Sequence, residues 1–250
     1  MRRALALLLL LPALSARAEE TAAQIAHKAR DQGSLNLVGL KAEMKLTNIE
    51  KGGARQEREV TTQSKKIDGA SHTLTRFRAP PADAGIALLV LEGVGGAKDE
   101  ISLFLPKIRR ARKIAQGDRG QPFMESEFSY ADFSGGGIDE KSSTREKDGV
   151  VEGKPVFVLA GAPPESPYKK VVAYIDQATY VPMRVEYFDE QGLLKVYTVQ
   201  KVEVLEGRTL ATGSTMENLR TGRKTTVQVS KVSPADAPDA AFTERALERG

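Results

Sequence analysis

The sequence contains no cysteine. This absence excludes disulfide bonds, a cysteine nucleophile, a cysteine-based zinc site and the acylated cysteine of a bacterial lipoprotein. The chain of 250 residues has only two histidines, His27 and His72, and neither has a second histidine at the spacing of a metal site. No Gly-x-Ser-x-Gly motif is present, and no glycine-rich run leads into Lys-Ser or Lys-Thr as in a phosphate-binding loop. We therefore predict no enzyme activity, no catalytic residue, no metal and no cofactor.

Long apolar runs are absent as well, apart from one at the N terminus. Two arginines precede the apolar run 4–14, and an Ala-Arg-Ala triplet that ends at Ala18 fits the small-x-small rule for signal cleavage. The run is too short to cross a bilayer, since a membrane helix needs about 20 residues. We predict that residues 1–18 are a signal peptide cleaved after Ala18, and that residues 19–250 form a single domain in the periplasm.

The charge of the mature chain is close to balanced. The full sequence has 37 basic and 33 acidic residues. Three of the basic residues, Arg2, Arg3 and Arg17, lie in the predicted signal, so the mature chain keeps 34 against 33. A protein that binds nucleic acid through its overall charge needs a stronger basic field. Any function of basic residues must therefore be local.

Alternation of apolar and polar residues dominates the mature chain. The clearest predicted strand has one apolar side, made of Val38, Leu40, Ala42, Met44 and Leu46. Turn signals join about eleven such strands into sequential hairpins, which predicts an antiparallel sheet. One helix, predicted over 21–31, is a poor cover for so many strands. We therefore expect a mainly β (α+β) fold, with a curved and partly closed sheet that retains a cavity and a helical turn over 242–247. The strand faces alone do not distinguish a lined pocket from a filled core.

The residues from Ile101 to Phe133 form the most distinctive segment. An apolar strand meets Pro106, and five cations follow at once. These are Lys107, Arg109, Arg110, Arg112 and Lys113. An aromatic and acidic run comes next, with Phe123, Met124, Phe128, Tyr130, Asp132 and Phe133. A dense charge cluster thus lies beside many apolar side chains.

The basic cluster, Lys107 to Lys113, has two interpretations. It is either a solvated edge strand that deters association between sheets, or a surface that recognises anionic lipid head groups or a partner. The nearby carboxylates of Glu125, Glu127 and Asp132 also have two interpretations. They are either acids that flank a sugar cleft, as in glycosidases, or counter-charges of the basic cluster. We favour charge balance, because spacing alone is a weak signal.

Two groups of short motifs follow a known family pattern. The first comprises Phe104-Leu105-Pro106, Arg109-Arg110, Phe123-Met124, Phe128-Ser129-Tyr130 and Asp132. The second comprises Met216-Glu217-Asn218-Leu219, Thr221-Gly222 and Lys224-Thr225-Thr226. Together they resemble the LolA-like outer-membrane lipoprotein-sorting proteins. The chain departs from that pattern at Pro122, Glu125 and Glu127, where serine, glycine and aspartate are usual. Glutamate in place of glycine at position 125 is expected to alter the local turn, because glycine tolerates a positive φ angle and glutamate does not.

The resemblance implies a LolA/LolB-like half-barrel wrapped over helices, with a hydrophobic cavity. We therefore expect a non-enzymatic periplasmic carrier that shields a lipid or the acyl chains of a lipoprotein, in outer-membrane lipoprotein or lipid sorting. The branch that the chain resembles often accompanies RND-type exporters, so an accessory protein that docks on such an exporter is the alternative. Besides acyl chains, the expected partners are an RND-type exporter or an outer-membrane acceptor. We expect a monomer with peripheral membrane contact and no nucleic acid.

The expected lipid-binding residues are apolar side chains of the alternating strands and of the aromatic run. They are Val38, Leu40, Met44, Phe77, Leu88, Phe104, Phe123, Met124, Phe128 and Tyr130. Contact with a head group or a partner is expected from Arg109, Arg110, Arg112 and Lys113. The run from Phe123 to Phe133 is expected at the mouth of the cavity, where it covers or releases a ligand.

Overall fold

The computed structural model describes residues 19–30, 37–94, 97–134, 142–162 and 166–249. The predicted signal peptide lies outside these residues. Within them the chain forms two α-helices, α1 (Ala22–Arg30) and α2 (Glu244–Arg249), and fourteen β-strands. No helix in this part of the chain is both long enough and apolar enough to cross a membrane.

Most strands follow one another along the chain through short turns. They are β1 (Leu40–Ile49), β2 (Arg55–Ile67), β3 (Ala70–Ala79), β4 (Ala87–Leu91), β5 (Glu100–Leu105), β6 (Arg110–Lys113), β7 (Thr144–Arg145), β8 (Gly149–Val151), β9 (Lys154–Gly161), β10 (Lys170–Asp176), β11 (Pro182–Asp189), β12 (Gly192–Leu205), β13 (Arg208–Asn218) and β14 (Lys224–Pro234).

All the described strands belong to one sheet. Its order is β6-β5-β4-β3-β2-β1-β14-β13-β12-β11-β10-β9-β7, with β8 also paired to β9. Each pairing is antiparallel, and β6 and β7 lie at opposite edges, so the sheet is not closed. The predicted antiparallel half-barrel is confirmed. The strands beyond the predicted eleven are β6, β7 and β8, which are too short to show alternation.

The two ends of the sheet can be told apart by their turns, because antiparallel neighbours place successive turns at opposite ends. We call one of them the upper end. It holds the connections 50–54, 80–86, 106–109 and 219–223. The lower end holds the turns 68–69, 92–99, 152–153 and 206–207. β1 pairs with β14 in the middle of the sheet, from Leu40 opposite Pro234 at the lower end to Ile49 opposite Lys224 at the upper end.

The inner face of the sheet is the face that packs against α1 and the segment Phe123–Phe133. It carries the larger core. Helix α1 contributes Ile25, Ala26 and Ala29, which form one apolar stripe on the helix. Among the described residues, α1 packs on the inner face and not on the outer face. The helix and the segment Phe123–Phe133 therefore both cover the inner face.

The outer face is covered near one edge by the C-terminal tail. Phe242 and Leu247, both almost fully buried, pack against Leu74, Leu89 and Phe104. This tail explains why β4 is apolar on both faces, because a strand that is covered on both sides reads as a continuous apolar run.

The tail gives a test of this packing. Truncation of the buried Phe242 ring to alanine removes large apolar contacts, so we expect Phe242→Ala to lower the free energy of unfolding by about 3 kcal/mol or more. Leu219→Ala is the control, because Leu219 is 48% exposed and its truncation should cost less than about 1 kcal/mol. Urea denaturation measures both. Equal losses would show that the tail does not pack as described.

Candidate functional site

The predicted lipid-binding residues lie mostly together on the inner face. The members of one continuous core are Leu40, Met44, Phe77, Leu88, Phe123, Phe128 and Tyr130, and Met124 packs against it. This clustering was expected from strand alternation and from the aromatic run.

Two of the predicted residues, Val38 and Phe104, do not join this cluster. Phe104 packs on the outer face against the C-terminal tail. It follows Leu103, which faces inward, and successive side chains of a strand point to opposite faces. Val38 is half-buried and precedes β1, where it forms an isolated bridge with Ser64. The structure therefore corrects the placement of both residues.

Aromatic rings fill the centre of the inner face. The Phe123 ring contacts the rings of Phe77, Tyr130 and Phe133, with centroids 5.6, 5.6 and 5.1 Å away. Phe128 contacts Phe133 at 6.2 Å and Tyr197 at 6.4 Å. The cavity that remains beneath these rings has a volume of about 20 Å³, close to the space of one water molecule. Its lining is Met44, Leu46, Val60, Thr62, Thr75, Phe77, Phe123, Phe128, Phe133 and Val227. In this conformation the cavity is too small for an acyl chain.

The residues Pro122–Phe128 form a tight turn, called the cover turn below. The Phe123 amide donates to the Phe128 carbonyl at 2.7 Å, and the Ser126 amide and hydroxyl both donate to the Phe123 carbonyl, at 3.0 and 2.6 Å. Met124 and Glu125 have φ angles of 51° and 58°, which non-glycine residues rarely adopt. Glu125 therefore has the positive φ angle that the usual glycine of the family pattern would tolerate.

The cover turn is attached to the middle strands of the sheet by single hydrogen bonds. The Glu127 amide donates to Thr225 Oγ1 at 2.9 Å, and Thr225 Oγ1 donates to Asn48 Oδ1 at 2.9 Å. Asn48 Nδ2 donates to the Met124 carbonyl at 3.4 Å. Thr225 belongs to the second group of sequence motifs and the cover turn to the first, so these contacts explain why the two groups occur together.

The residues that follow the cover turn are held by a buried ion pair. Lys195 Nζ lies 2.6 Å from Asp132 Oδ2, and the two side chains are only 5% and 2% exposed. Lys195 also donates to the Glu127 carbonyl at 3.1 Å. Its ammonium group lies over the rings of Tyr168 and Tyr187, 5.1 Å from each centroid. This lysine on β12 thus contacts both ends of the segment 127–132.

Asp132 has further partners that satisfy its carboxylate. The Tyr168 hydroxyl donates to Asp132 Oδ1 at 2.8 Å, the Ser129 amide donates to Oδ2 at 2.7 Å, and Ser129 Oγ lies 2.9 Å from the Tyr168 hydroxyl. Burial raises the pKa of Tyr168, and the charge of Asp132 raises it further. Tyr168 therefore stays protonated and serves as a hydrogen-bond donor. Neither Lys195 nor Tyr168 was predicted, because a lysine within a strand and an isolated tyrosine carry no local signal.

The three carboxylates do not balance the basic cluster, so that interpretation is wrong. Asp132 pairs with Lys195, Glu127 with Arg223 at 3.3 Å, and Glu125 with Arg58 at 3.4 Å. Each counter-charge comes from a part of the chain that is remote in sequence. Among the described residues, no group of three histidine, aspartate or glutamate side chains has the geometry to hold a metal ion.

A polar cleft opens at the upper end of the sheet, beside the cover turn. Its volume is about 610 Å³, and its lining is Asn48, Glu50, Ala54, Arg55, Gln56, Pro122, Glu125 and Arg223. Arg223 bridges Glu50 at 2.9 Å and donates to the Glu125 carbonyl at 3.0 Å. The cover turn therefore has polar surroundings on one side and the aromatic core on the other.

The basic cluster lies at one edge of the sheet. Arg110, Arg112 and Lys113 belong to the edge strand β6, and only Lys113 of these forms an ion pair in the described chain, with Glu100 at 2.8 Å. Burial raises the pKa of Tyr130, and the nearby Arg112 opposes part of that rise. The Ala111 amide donates to a carboxylate oxygen of Glu248 on α2 at 3.1 Å. This location agrees with edge protection and leaves the cations accessible to a ligand.

Comparison with known proteins places this architecture in context. A family model described as an uncharacterized protein matches residues 69–249. A domain from Vibrio parahaemolyticus named for outer-membrane lipoprotein sorting is 30% identical, with a TM-score of 0.78 over 91% of this chain and 98% of that domain. None of the curated proteins matches the chain in sequence.

Two more distant structures share the fold. A DUF1329 family protein from Desulfovibrio piger is 23% identical, with a TM-score of 0.81 over 90% of this chain and 97% of the other. A LolA superfamily protein from Nitrosomonas europaea is 18% identical, with a TM-score of 0.72 over 91% of this chain and 100% of the other. These two similarities are similarities of fold.

The buried ion pair generates a stability test. Lys195→Met leaves the Asp132 carboxylate buried without its counter-charge, so we expect a loss of about 3–5 kcal/mol in the free energy of unfolding. Lys169→Met is the matched control, because the Lys169–Glu190 pair is exposed and such pairs contribute less than about 1 kcal/mol. Adding Asp132→Asn to Lys195→Met should restore part of the loss. Urea denaturation measures all three, and a double variant no more stable than Lys195→Met would contradict a coupled pair.

The positive φ angle of Glu125 generates a second test. Glycine removes the steric cost of this conformation and alanine keeps it, while both remove the weak contact with Arg58. We expect Glu125→Gly to be more stable than Glu125→Ala by about 1 kcal/mol. Thermal and urea unfolding of the two variants measure the difference. If the alanine variant were equally stable, the turn would not require a left-handed residue at this position.

Proposed function

Because the chain belongs to the LolA-like family of lipoprotein-sorting proteins, we propose that it is a non-enzymatic periplasmic carrier that shields the acyl chains of a lipid or lipoprotein. The predicted export signal supports the periplasmic location. The observation that carries the proposal is the inner face itself, where an aromatic core is closed at the upper end by one short turn. In this proposal aromatic rings of the cover turn move away from the inner face, and the acyl chain occupies the space that they leave.

The free energy gained and the free energy lost in such an exchange are comparable. Burial of an acyl chain stabilises a complex by about 0.8 kcal/mol per methylene, or roughly 11 kcal/mol for about fourteen methylenes. Exposing the rings of Phe123 and Phe128 costs roughly 3–6 kcal/mol in total. Loss of the two neutral hydrogen bonds that join the turn to Asn48 and Thr225 adds roughly 2 kcal/mol. Loss of the two charge-assisted bonds from Arg223 and Lys195 to carbonyls of the turn adds roughly 3–6 kcal/mol. The gross gain is therefore of the same size as the cost of opening, which permits release as well as uptake.

The contacts also define which part moves. The cover turn is held by neutral hydrogen bonds to Asn48 and Thr225. Charged contacts with Arg58, Arg223 and, at Glu127, Lys195 add to them. The residues after the turn are held by the Asp132–Lys195 ion pair, in which both side chains are buried. We assign opening to Pro122–Phe128, with Ser129–Asp132 as the fixed base. A ligand chain then enters from the polar cleft, and its head group stays near Asn48 and Arg223.

The basic cluster supports a second candidate function. It lies on the edge strand β6, and an edge strand presents backbone groups that a partner strand can pair with. In this alternative the protein docks on an RND-type exporter or on an outer-membrane acceptor through Arg109, Arg110, Arg112 and Lys113. Co-purification of an exporter subunit, in place of a lipid, would favour this alternative.

A reversible staple tests the carrier function. The hydrogen bond between the Glu127 amide and Thr225 Oγ1 keeps the two Cα atoms within the range of a disulfide. Because the chain has no cysteine, Glu127→Cys with Thr225→Cys should form a single disulfide that holds the cover turn closed. We expect the oxidised variant to lose binding of a fluorescent apolar probe, and the reduced variant to bind it and to release it when a fatty acid is added.

The control staple joins a pair far from the turn. Lys45 and Glu59 face each other across β1 and β2, so Lys45→Cys with Glu59→Cys should leave probe binding unchanged in both redox states. Probe binding that is insensitive to the cover-turn staple would contradict the assigned opening. Absence of probe binding by the unmodified protein would show that the inner face is a permanently filled core and would overturn the carrier proposal.

A further inference from the structure

An apolar side chain is held out into solvent at the upper end. Ile108 is 61% exposed and ends the short 3-10 turn Pro106–Ile108 that joins β5 to β6. Pro106 packs closely on Gly85. The Arg109 amide donates to the Pro106 carbonyl at 3.1 Å, and Arg109 has a φ angle of 48°. The turn is thus a fixed feature of the fold that presents Ile108 to solvent.

Cations surround this apolar residue. Lys107, Arg109 and Arg110 are all exposed, and none of the three forms an ion pair with another described residue. The upper end also presents Leu219, 48% exposed, in a turn that contains Arg220 and Arg223, which pair with Asp189 and Glu50. Exposed apolar groups at this end therefore have basic neighbours in sequence.

The lower end has exposed apolar residues of a different kind. Val94 and Val204 are 61% and 70% exposed. Val94 lies in the turn that contains Glu92 and Asp99, and Val204 is preceded by Glu203 and followed closely by Glu206. The turns 68–69 and 152–153 at this end also carry Asp68 and Glu152. Cations also lie in or beside these turns, at Lys66, Lys98, Lys154 and Arg208. The two ends thus match in apolar exposure, but charges of both signs surround the turns of the lower end, whereas the neighbours of Ile108 are basic.

We infer that the upper end of the sheet, centred on Ile108, is a docking surface for an anionic lipid bilayer. An apolar side chain on a convex tip enters the interface of a bilayer, and flanking cations contact its anionic head groups. A protein partner would have to supply a matching pocket for the tip, whereas a fluid bilayer takes a protruding side chain without one. The cations next to Ile108 set the orientation, because the lower end carries charges of both signs and is not attracted to the same extent.

Docking in this orientation brings the polar cleft and the cover turn to the membrane, because both lie at the upper end. An acyl chain would then pass between bilayer and inner face over a short path. The inference goes beyond the carrier function, because the surface would bind a bilayer even if the inner face never opened.

A single tryptophan provides the test. The chain contains no tryptophan, so Ile108→Trp places the only indole at the proposed contact, and Val204→Trp places it at the lower end with similar exposure. Both proteins are purified from the periplasm of an expressing strain and titrated with phosphatidylglycerol vesicles and with phosphatidylcholine vesicles. We expect a blue shift of emission for Ile108→Trp on phosphatidylglycerol only, reversed by salt, and no shift for Val204→Trp.

Charge neutralisation gives the second measurement. Each cation near an anionic surface changes affinity about five-fold, so Lys107→Gln with Arg110→Gln should weaken binding to phosphatidylglycerol vesicles by about thirty-fold. Lys154→Gln with Lys231→Gln removes the same net charge away from the upper end and should change binding less than three-fold. Vesicle sedimentation measures both variants.

The outcomes separate this inference from the carrier proposal. Ile108→Trp should bind the apolar probe as the unmodified protein does, so loss of vesicle binding with intact probe binding would overturn the docking surface alone. Equal blue shifts at both tryptophan positions, or equal losses in both glutamine pairs, would overturn it as well. Absence of vesicle binding together with binding of a polyglutamate peptide would assign the basic cluster to a protein partner.

Discussion

The inner face of the sheet has to be covered, and this requirement determines most of the structure. A half-barrel whose strands alternate buries one continuous apolar face, and in the described chain α1 and the segment Phe123–Phe133 supply much of its cover, together with Tyr168. The helix covers its share with small residues and one isoleucine. The segment covers the centre with phenylalanine and tyrosine rings, which supply a large area from few residues. A short segment without regular strands or α-helix therefore covers a large part of the apolar inner face.

Irregular chain over an apolar face needs polar anchors, and the protein supplies two kinds. Neutral hydrogen bonds from Asn48 and Thr225 hold the cover turn, and a charged contact between Asp132 and Lys195 holds the residues after it. The difference in strength divides one segment into a part that separates from the sheet at modest cost and a part that stays. Such a division lets the protein expose its inner face while it remains folded.

Much of the fold could be predicted from the sequence, and the reasons are local. The alternation of Leu40, Ala42 and Met44 specifies the face of β1 directly, and the hairpin turns specify the pairing of neighbours. The strands β6, β7 and β8 could not be predicted because two to four residues do not show a period. Phe104 was placed on the wrong face because its neighbours are apolar too, so the sequence contains no polar residue that marks the outer side.

The candidate site was less accessible to prediction. The aromatic run and the glycine position occupied by Glu125 pointed to the cover turn, but its counter-charges lie far away in the chain. Lys195 is 63 residues from Asp132, and Tyr168 is 36 residues from it. The small volume of the cavity beneath the aromatic rings could not be predicted either, because such a volume depends on how side chains fit together and not on their pattern in the sequence.

The buried pair of Asp132 and Lys195 has a consequence for how such sequences diverge. Loss of either partner alone leaves a charge in the core, whereas replacement of both by apolar groups is close to neutral. Lineages therefore cross from the charged to the apolar arrangement only through a costly intermediate or by a paired change. The two positions are expected to covary among relatives, and their joint state would mark branches in which the fixed base of the cover has been rebuilt.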